Sequence, residues 1–410
     1  MKKILYIVSV FPSTSATFVL NEMLALKREG YEIEIVSLRT PKDEVLQSGV
    51  ENFVDNIIYV PHVKNSSMDK LKLAYTNLMY LFSNPVKYTK LLFNSIQHRS
   101  LNQIYDFLRA AYVASVMGEV KVDHVHAQFA HAPTSIAYYL KILTGKKYSF
   151  TCHAVDIFVP KNASMLEEKV KHAEFVATIS NYNVKYIENK LRNKSLSNKI
   201  RVIRCGIDLN NFKRDREKKE RKIVNIFSVG RFVEKKGFSY LVEALKLVSD
   251  NGFSYNCNII GEGPLFNDIK DKIKKTGLEN NINLLGKADS ITVKRYLQDA
   301  DIFVLPCVTA QNGDMDGIPV SLMEAMAYEV PVISTSISGI PELVKHKVNG
   351  LIVKEKNSTE LAEAIQSLIL EQDSRILYGK EGRKYISTEF RLDRNTKKLV
   401  CLFNSIYKNP

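Results

Sequence analysis

No uncharged apolar run in the 410-residue sequence approaches the ~20 residues needed to cross a bilayer, so no membrane-spanning helix is expected. Cysteine is sparse. Cys152, Cys205, Cys257, Cys307 and Cys401 are odd in number, widely separated and form no CxxC pair. That spacing excludes a zinc site or a disulfide framework as an organising feature and fits a reduced, cytoplasmic setting. No G-x-G-x-x-G follows the first apolar run, which excludes a dinucleotide site of the dehydrogenase kind. No nucleic-acid-binding motif is present, and no basic face is interleaved with exposed aromatics, so nucleic acid is not an expected partner. The N-terminal MKKILYIVSVF has a short apolar part and no small-residue cleavage site after it, so it reads as a strand and not a signal peptide.

What is present points to two domains, because a single core stops growing near ~250–300 residues. Lys and Arg number 58 against 44 Asp and Glu, a formal charge of +14. Such a balance favours anionic partners: phosphates or an acidic membrane surface.

In the first half, KILYIVSV (3–10), an amphipathic stretch ending at Gly30, and YEIEIVSL form a βαβ unit and imply a parallel sheet. From Met68 to about Met117 the pattern is helical and basic. Between His62 and Tyr112, Lys64, Lys70, Lys72, Lys87, Lys90, Arg99 and Arg109 stand against Asp69 and Asp106, with tyrosine, phenylalanine and leucine between them. It reads as a pair of amphipathic helices with solvated lysines, or as a surface that touches anionic lipid; the two readings are compatible. VDHVHAQF (122–129) is a strand on which His124 and His126 share a face. No nearby carboxylate or cysteine completes a metal set with His131, so histidines facing a cleft at the strand's C-terminal end are expected instead. KYSFTCHAVDIF is a further strand, followed by His153 and Asp156. Ligands of open parallel sheets bind beyond the carboxyl ends of strands, which makes His153 a site candidate. Lys213–Lys222 is an unbroken run of charge, as expected of a linker or a solvated edge.

The second half opens with a strand, Ile223–Val229, that delivers Gly230, Arg231 and, five residues later, Lys236. Two cations after a parallel strand, with a glycine allowing close approach, suit a diphosphate. Glu262 lies in a glycine-bounded turn after the next strand. ADIFVLP (300–306) leads into GDMDGIPVSLMEAM (313–326), where Pro319 can open a helix. Asp316 and Glu324 flank the expected helix N-terminus, whose free N–H groups suit a phosphate, while the two acids suit hydroxyl groups. That combination points to a nucleotide-sugar site.

Taken together, FTCHAVDIF, VIRCGIDLNNF, SVGRFVEKKG, IIGEGP and DMDGIPVSLMEAMAYEVPVISTSISGIPELV, in this order along the chain, resemble the retaining glycosyltransferases of family four. The likeness is greatest to bacterial exopolysaccharide and lipopolysaccharide enzymes of the colanic-acid type. The resemblance implies an α/β, GT-B architecture of two Rossmann-like domains with parallel sheets facing a cleft. It implies an acceptor-side domain over 1–208, a linker over 209–222, a donor domain over 223–385, and a C-terminal helix over 386–410 returning to the first domain.

For the site, the resemblance implies that Arg231 and Lys236 hold the donor diphosphate, Glu324 the ribose and Asp316 the transferred sugar. Gly230, Glu262 and the Gly317, Ile318, Pro319, Val320 backbone would line the donor site, with His153 under the donor sugar. Ser15, Thr17, His126 and Asp156 are candidates on the acceptor side. Asp316 stands where the family more often has Glu, and Gln128 where relatives often carry a second histidine. No metal or other cofactor is expected, since Arg and Lys replace the metal in this family. The implied reaction is retaining hexosyl transfer from a UDP- or GDP-sugar to a saccharide, lipid-linked at the inner face of the cytoplasmic membrane, in surface polysaccharide synthesis. A phosphorylase or hydrolase on the same fold, or a non-catalytic subunit of an assembly complex, are the alternatives.

Overall fold

The computed structural model describes residues 2–13, 16–41, 48–63, 65–97, 100–119, 121–213 and 223–408. They form two units, each built on one parallel sheet. Unit 1 comprises Met1–Ile179, Val184–Ile203 and Asn395–Pro410; unit 2 comprises Ser180–Asn183 and Arg204–Arg394.

The strands of unit 1 are β1 (Lys2–Val8), β2 (Tyr31–Ser37), β3 (Ile57–Tyr59), β4 (His124–Gln128), β5 (Tyr148–Cys152), β6 (Val176–Thr178) and β7 (Ile200–Val202), in the spatial order β3-β2-β1-β4-β5-β6-β7. Strands covered on both faces read as nearly continuous apolar runs. In β1 every residue from Ile4 to Val8 is buried, with Ile4 opposite Ile33 on one side and His124 on the other. The chain leaves β1 toward β2 and later returns to β4 on β1's other edge. The connections therefore diverge between β1 and β4, the place where open α/β sheets bind ligands.

The basic helical region is three helices, not two: Ser67–Ser83, Pro85–Gln97 and Leu101–Glu119. Ser66 caps the first by accepting from the Asp69 N–H at 3.0 Å, and Pro85 sits where a helix needs no donor. The last helix, Leu392–Lys408, gives its residues from Asn395 onward to unit 1. Leu399 and Phe403 are fully buried there, and burying one such side chain contributes ~1.5–3 kcal/mol. The Phe403 ring lies 5.3 Å from His126 and 5.6 Å from His124.

The strands of unit 2 are β8 (Val224–Val229), β9 (Tyr255–Ile260), β10 (Ile282–Leu284), β11 (Ile302–Leu305), β12 (Val332–Thr335) and β13 (Gly350–Val353), in the order β10-β9-β8-β11-β12-β13. Here the connections diverge between β8 and β11. Phe232, Leu245, Ile259, Phe303, Met323 and Met326 are among the residues of its core. The long segment of unit 2, Arg204–Arg394, begins four residues before the Asp208 boundary expected from sequence. The cause is local: Ile207 N–H donates to Phe390 O at 2.9 Å, and Leu392 N–H donates to Ile207 O at 3.1 Å. Gly206 has no room for a side chain, since a Cβ would lie 2.5 Å from Leu392 Cα. Residues 214–222 of the charged run lie outside the described residues.

Candidate functional site

In unit 2 the loops after β8 and β11 meet at the divergence point. After β8 the chain turns through Gly230 and Arg231 into a single 3-10 turn, Glu234–Lys236, and then the helix Phe238–Asp250. Gly237 has φ +69°, and a Cβ there would lie 1.9 Å from Pro306 O, so glycine is required for the two loops to touch. Val308 N–H then donates to Lys235 O at 2.9 Å, pinning the post-β11 loop to this turn. Thr309 N–H donates to Glu355 at 2.6 Å and Gln311 N–H to Glu234 at 3.1 Å, fixing the rest of that loop.

Four charges gather at this junction. Lys236 Nζ lies 2.6 Å from Asp316 Oδ2, and Lys235 Nζ lies 3.3 Å from Asp316 Oδ1 and 3.1 Å from Asp314 Oδ2. Burial alone would raise the Asp316 carboxyl, but the Lys236 and Lys235 ammonium groups outweigh it and hold it down at about 2. Burial opposes the charge on Lys236, yet the Asp316 carboxylate raises it above the usual lysine range. The lysine stem runs beside Gly230, where an added Cβ would come within 3.3 Å of its Cδ and Cε. Cys307 Sγ, 3.5 Å from Asp316 Oδ2, completes the surroundings, its thiol pushed well up by burial. Lys235 and Cys307 escaped sequence reading as site residues; the adjacent Lys235–Lys236 was the available signal.

Arg231 is exposed, and its guanidinium makes no hydrogen bond or ion pair among the described residues. Glu262 is likewise exposed, while its backbone carbonyl accepts from Phe232 N–H at 2.8 Å. Gly317, Ile318 and Pro319 are buried, and Val320 is half-buried. Pro319 is the cap of the helix Val320–Ala327 and not its first residue, and it supplies no side-chain acceptor. In the first turn Leu322 N–H donates to Pro319 O at 3.2 Å, and no side-chain cap takes the Val320 and Ser321 N–H groups, which suit a ligand. Glu324, one turn into this helix, is half-buried, and its carboxyl has no hydrogen-bond partner among the described residues; burial pushes that carboxyl up to about 7, against the pull of Lys294.

In unit 1, His153 directly follows β5 and is nearly buried. Its ring lies 4.6 Å from both Phe18 and Phe129, and burial lowers it to about 4. Thr17 opens the helix Thr17–Arg28, next to Phe18; Ser15 lies outside the described residues. Two expectations are corrected. His126 does not reach a cleft: it is fully buried, mid-strand, bonded to Ser149 Oγ at 2.8 Å and Thr151 Oγ1 at 3.0 Å. His124 shares that burial, because the strand's C-terminal edge is reached only at Gln128. Asp156 is likewise fully buried and taken up by the backbone. Its carboxylate accepts from the N–H groups of His153, Ala154 and Ala130, at 3.1, 2.8 and 2.8 Å, and so shapes the loop that carries His153.

Among the described residues no three His, Cys, Asp or Glu side chains gather as a metal-ligand set. No helix among them is long and apolar enough to cross a membrane.

Known proteins share this organisation. Residues 209–385 match the model of the glycosyl transferases group 1, and residues 91–211 that of glycosyltransferase family 4. The chain is 30% identical to the amylovoran biosynthesis glycosyltransferase AmsK of Erwinia amylovora over 400 residues, spanning 95% of this chain and 96% of that one. It is 27% identical to the putative colanic acid biosynthesis glycosyltransferase WcaL of Escherichia coli K12, over 97% of this chain and 98% of the relative. Among solved structures, Alr3699/HepE of Anabaena, in complex with UDP and glucose, superposes with a TM-score of 0.73 at 15% identity. That match covers 99% of this chain and all of that one. A glycosyltransferase of Rickettsia africae superposes with a TM-score of 0.71 at 19% identity, over the whole of both chains. These likenesses identify the two-sheet architecture as GT-B.

Proposed function

The chain belongs to the group 1, family 4 glycosyltransferases, and on that premise we propose that it moves a hexose from a UDP- or GDP-sugar to a saccharide with retention of anomeric configuration. The observation that carries this reading is the junction of unit 2: a half-buried Lys236, an exposed Arg231 and a Glu324 carboxyl without a hydrogen-bond partner among the described residues, around an uncapped helix N-terminus. Cleaving a sugar–phosphate bond builds positive charge on the sugar and negative charge on the diphosphate. Fixed cations and N–H dipoles favour that charge more in the transition state than before it, and losing one such donor costs ~3–4 kcal/mol of barrier.

In this proposal Arg231 and Lys236 hold the diphosphate, and Gly230 lets it approach the backbone. The N–H groups at the start of Val320–Ala327 bind phosphate or sugar, with Gly317, Ile318 and Pro319 shaping that entry. Glu324 accepts from the ribose hydroxyls, and Glu262 borders the nucleotide. Asp316 must exchange Lys236 for a sugar hydroxyl when the diphosphate arrives. The lysines occupy the carboxylates of the Asp-Met-Asp run, which supports a metal-independent reaction. His153 and Thr17 are assigned to the reacting sugars.

The names of AmsK and WcaL support a place in bacterial exopolysaccharide synthesis. An anionic membrane surface on the cytoplasmic side is the proposed location, with a lipid-linked acceptor. The support is the helix Ser67–Ser83, where Leu71, Tyr75, Leu78 and Phe82 form an exposed stripe at helical spacing. Leu73 and Asn77 take the buried side, and exposed Lys70 and Lys72 flank the stripe. An apolar stripe bordered by lysines suits the interface of an acidic bilayer.

The test is release of nucleoside diphosphate from UDP- and GDP-hexoses, with product anomers assigned by NMR. Release that requires a saccharide acceptor and keeps the donor's configuration supports the reading. Release that requires only water or inorganic phosphate, or an inverted product, overturns it.

A further inference from the structure

We propose that Glu22 is a positioning residue that acts through Gln128 to set the orientation and tautomer of the His153 imidazole. The three side chains come from the helix Thr17–Arg28, the end of β4 and the end of β5, along the divergence point of the unit 1 sheet. Gln128 Nε2 donates to Glu22 Oε1 at 2.7 Å, and the Tyr6 hydroxyl donates to the same oxygen at 2.9 Å. On its other side Gln128 Oε1 lies 2.8 Å from His153 Nε2.

A glutamine amide can turn either way, and its surroundings decide which. Turned over, Gln128 would set its oxygen against the Glu22 carboxylate, two acceptors with no proton between them. An ionised Glu22 therefore fixes the amide, and the amide oxygen then requires a proton on His153 Nε2. Because burial holds His153 at about 4, the ring is neutral and Nε2 carries its one proton. The Phe18 and Phe129 rings, each tilted with its centre 4.6 Å from that of the imidazole, confine it, and Asp156 holds the backbone N–H of His153.

Protonating Glu22 removes the discrimination, because a carboxyl O–H can donate to a turned amide. Burial raises Glu22 to about 7, so its charge is present above that pH and lost below it. The titratable neighbours do not compete there. Tyr6 is pushed well above the usual phenol range, His126 well below the usual imidazole range, and His131 is lowered to about 4, each chiefly by burial.

The catalytic consequence rests on the sugar-transfer reading; the tautomer does not. The full-length protein with 15N-labelled histidine is examined by long-range 1H–15N spectroscopy at pH 8, in the wild type, Glu22→Gln and Gln128→Leu. The expected result is a single Nε2–H form of His153 in the wild type and a mixture of tautomers in both variants. At saturating donor, where the effect of Glu324 on nucleotide affinity no longer shows, transfer in Glu22→Gln should fall on the order of tenfold or more, as for other misoriented catalytic imidazoles, and lose its inflection near pH 7. A single Nε2–H form and an unchanged pH profile in Glu22→Gln would overturn the proposal. Gln128→Leu decides the same point if Glu22→Gln does not fold. A tautomer shift alongside a wild type inactive on every nucleotide sugar supports the positioning and sinks the sugar-transfer reading alone.

Discussion

Lys236 Nζ and Asp316 Oδ2 stand 2.6 Å apart across the gap between the β8 and β11 loops. The cation assigned to the diphosphate thus already holds the acid assigned to the sugar. With Lys235 and Asp314 beside them, two ammonium groups and two carboxylates cancel, and an arriving diphosphate must displace a carboxylate to reach Lys236.

Asp316→Asn is therefore expected to separate binding from turnover. The nucleoside diphosphate alone should bind several-fold more tightly, worth ~1 kcal/mol, because Lys236 is no longer occupied. Sugar transfer should fall by about a hundredfold, the order seen when one transition-state donor or acceptor is lost. Calorimetry with the diphosphate and steady-state kinetics on the same sample check both. Weaker diphosphate binding in Asp316→Asn would show that the pair does not compete with the ligand.

Glu324 gives a pH dependence with a definite sign. Its carboxyl sits at about 7 in the free protein, above the 4.5 of an ordinary glutamate, because of burial. The charged form, proposed to accept from the ribose hydroxyls, is present above pH 7. Nucleotide affinity should rise as pH rises from 6 to 8, and the inflection should vanish in Glu324→Gln. For stability the sign is opposite: the folded protein binds the extra proton, so this group's contribution declines by ~3 kcal/mol between pH 4.5 and 7. Urea titrations of wild type and Glu324→Gln across that range measure it.

Metal independence is tested by chelation. Transfer in EDTA should match transfer in added magnesium if, as proposed, Arg231 and Lys236 supply the positive charge. Loss of activity in EDTA, restored by a divalent cation, would mean that the Asp314 and Asp316 carboxylates leave their lysines for a metal.

The exposed stripe on Ser67–Ser83 should bind vesicles containing phosphatidylserine and not neutral ones, with binding weakened by salt. Leu78→Glu combined with Phe82→Glu should abolish co-sedimentation while leaving transfer to a water-soluble acceptor unchanged. Equal sedimentation of that variant with acidic vesicles would remove the membrane assignment.

Much of the fold was legible because parallel strands are local apolar runs, each followed by its motif. β8 and β11, with Arg231, Lys236 and Glu324 just after them, needed no long-range information. What stayed hidden depends on sheet order and strand phase. Lys235 meets Asp314 only because β8 and β11 are neighbours, and Glu22 meets Gln128, 106 residues away, only because β4 lies beside β1. His126 was misplaced by one strand step: it has the same parity as Gln128 but stops two residues short of the edge. The boundary at Arg204 was hidden too, because the pairing of Ile207 with Arg391 joins distant segments that carry no shared pattern.

The central claim, that the β8–β11 junction of unit 2 holds a nucleoside diphosphate through Arg231 and Lys236, is tested most directly by thermal shift. Wild type and an Arg231→Ala, Lys236→Ala double variant are melted with UDP, GDP and ADP, each against its nucleoside. The account predicts that one diphosphate at 100 times its Kd stabilises the wild type by ~2.7 kcal/mol, that its nucleoside does so far less, and that the double variant loses the difference. An equal shift in the variant, or no preference for diphosphate over nucleoside in the wild type, would contradict it.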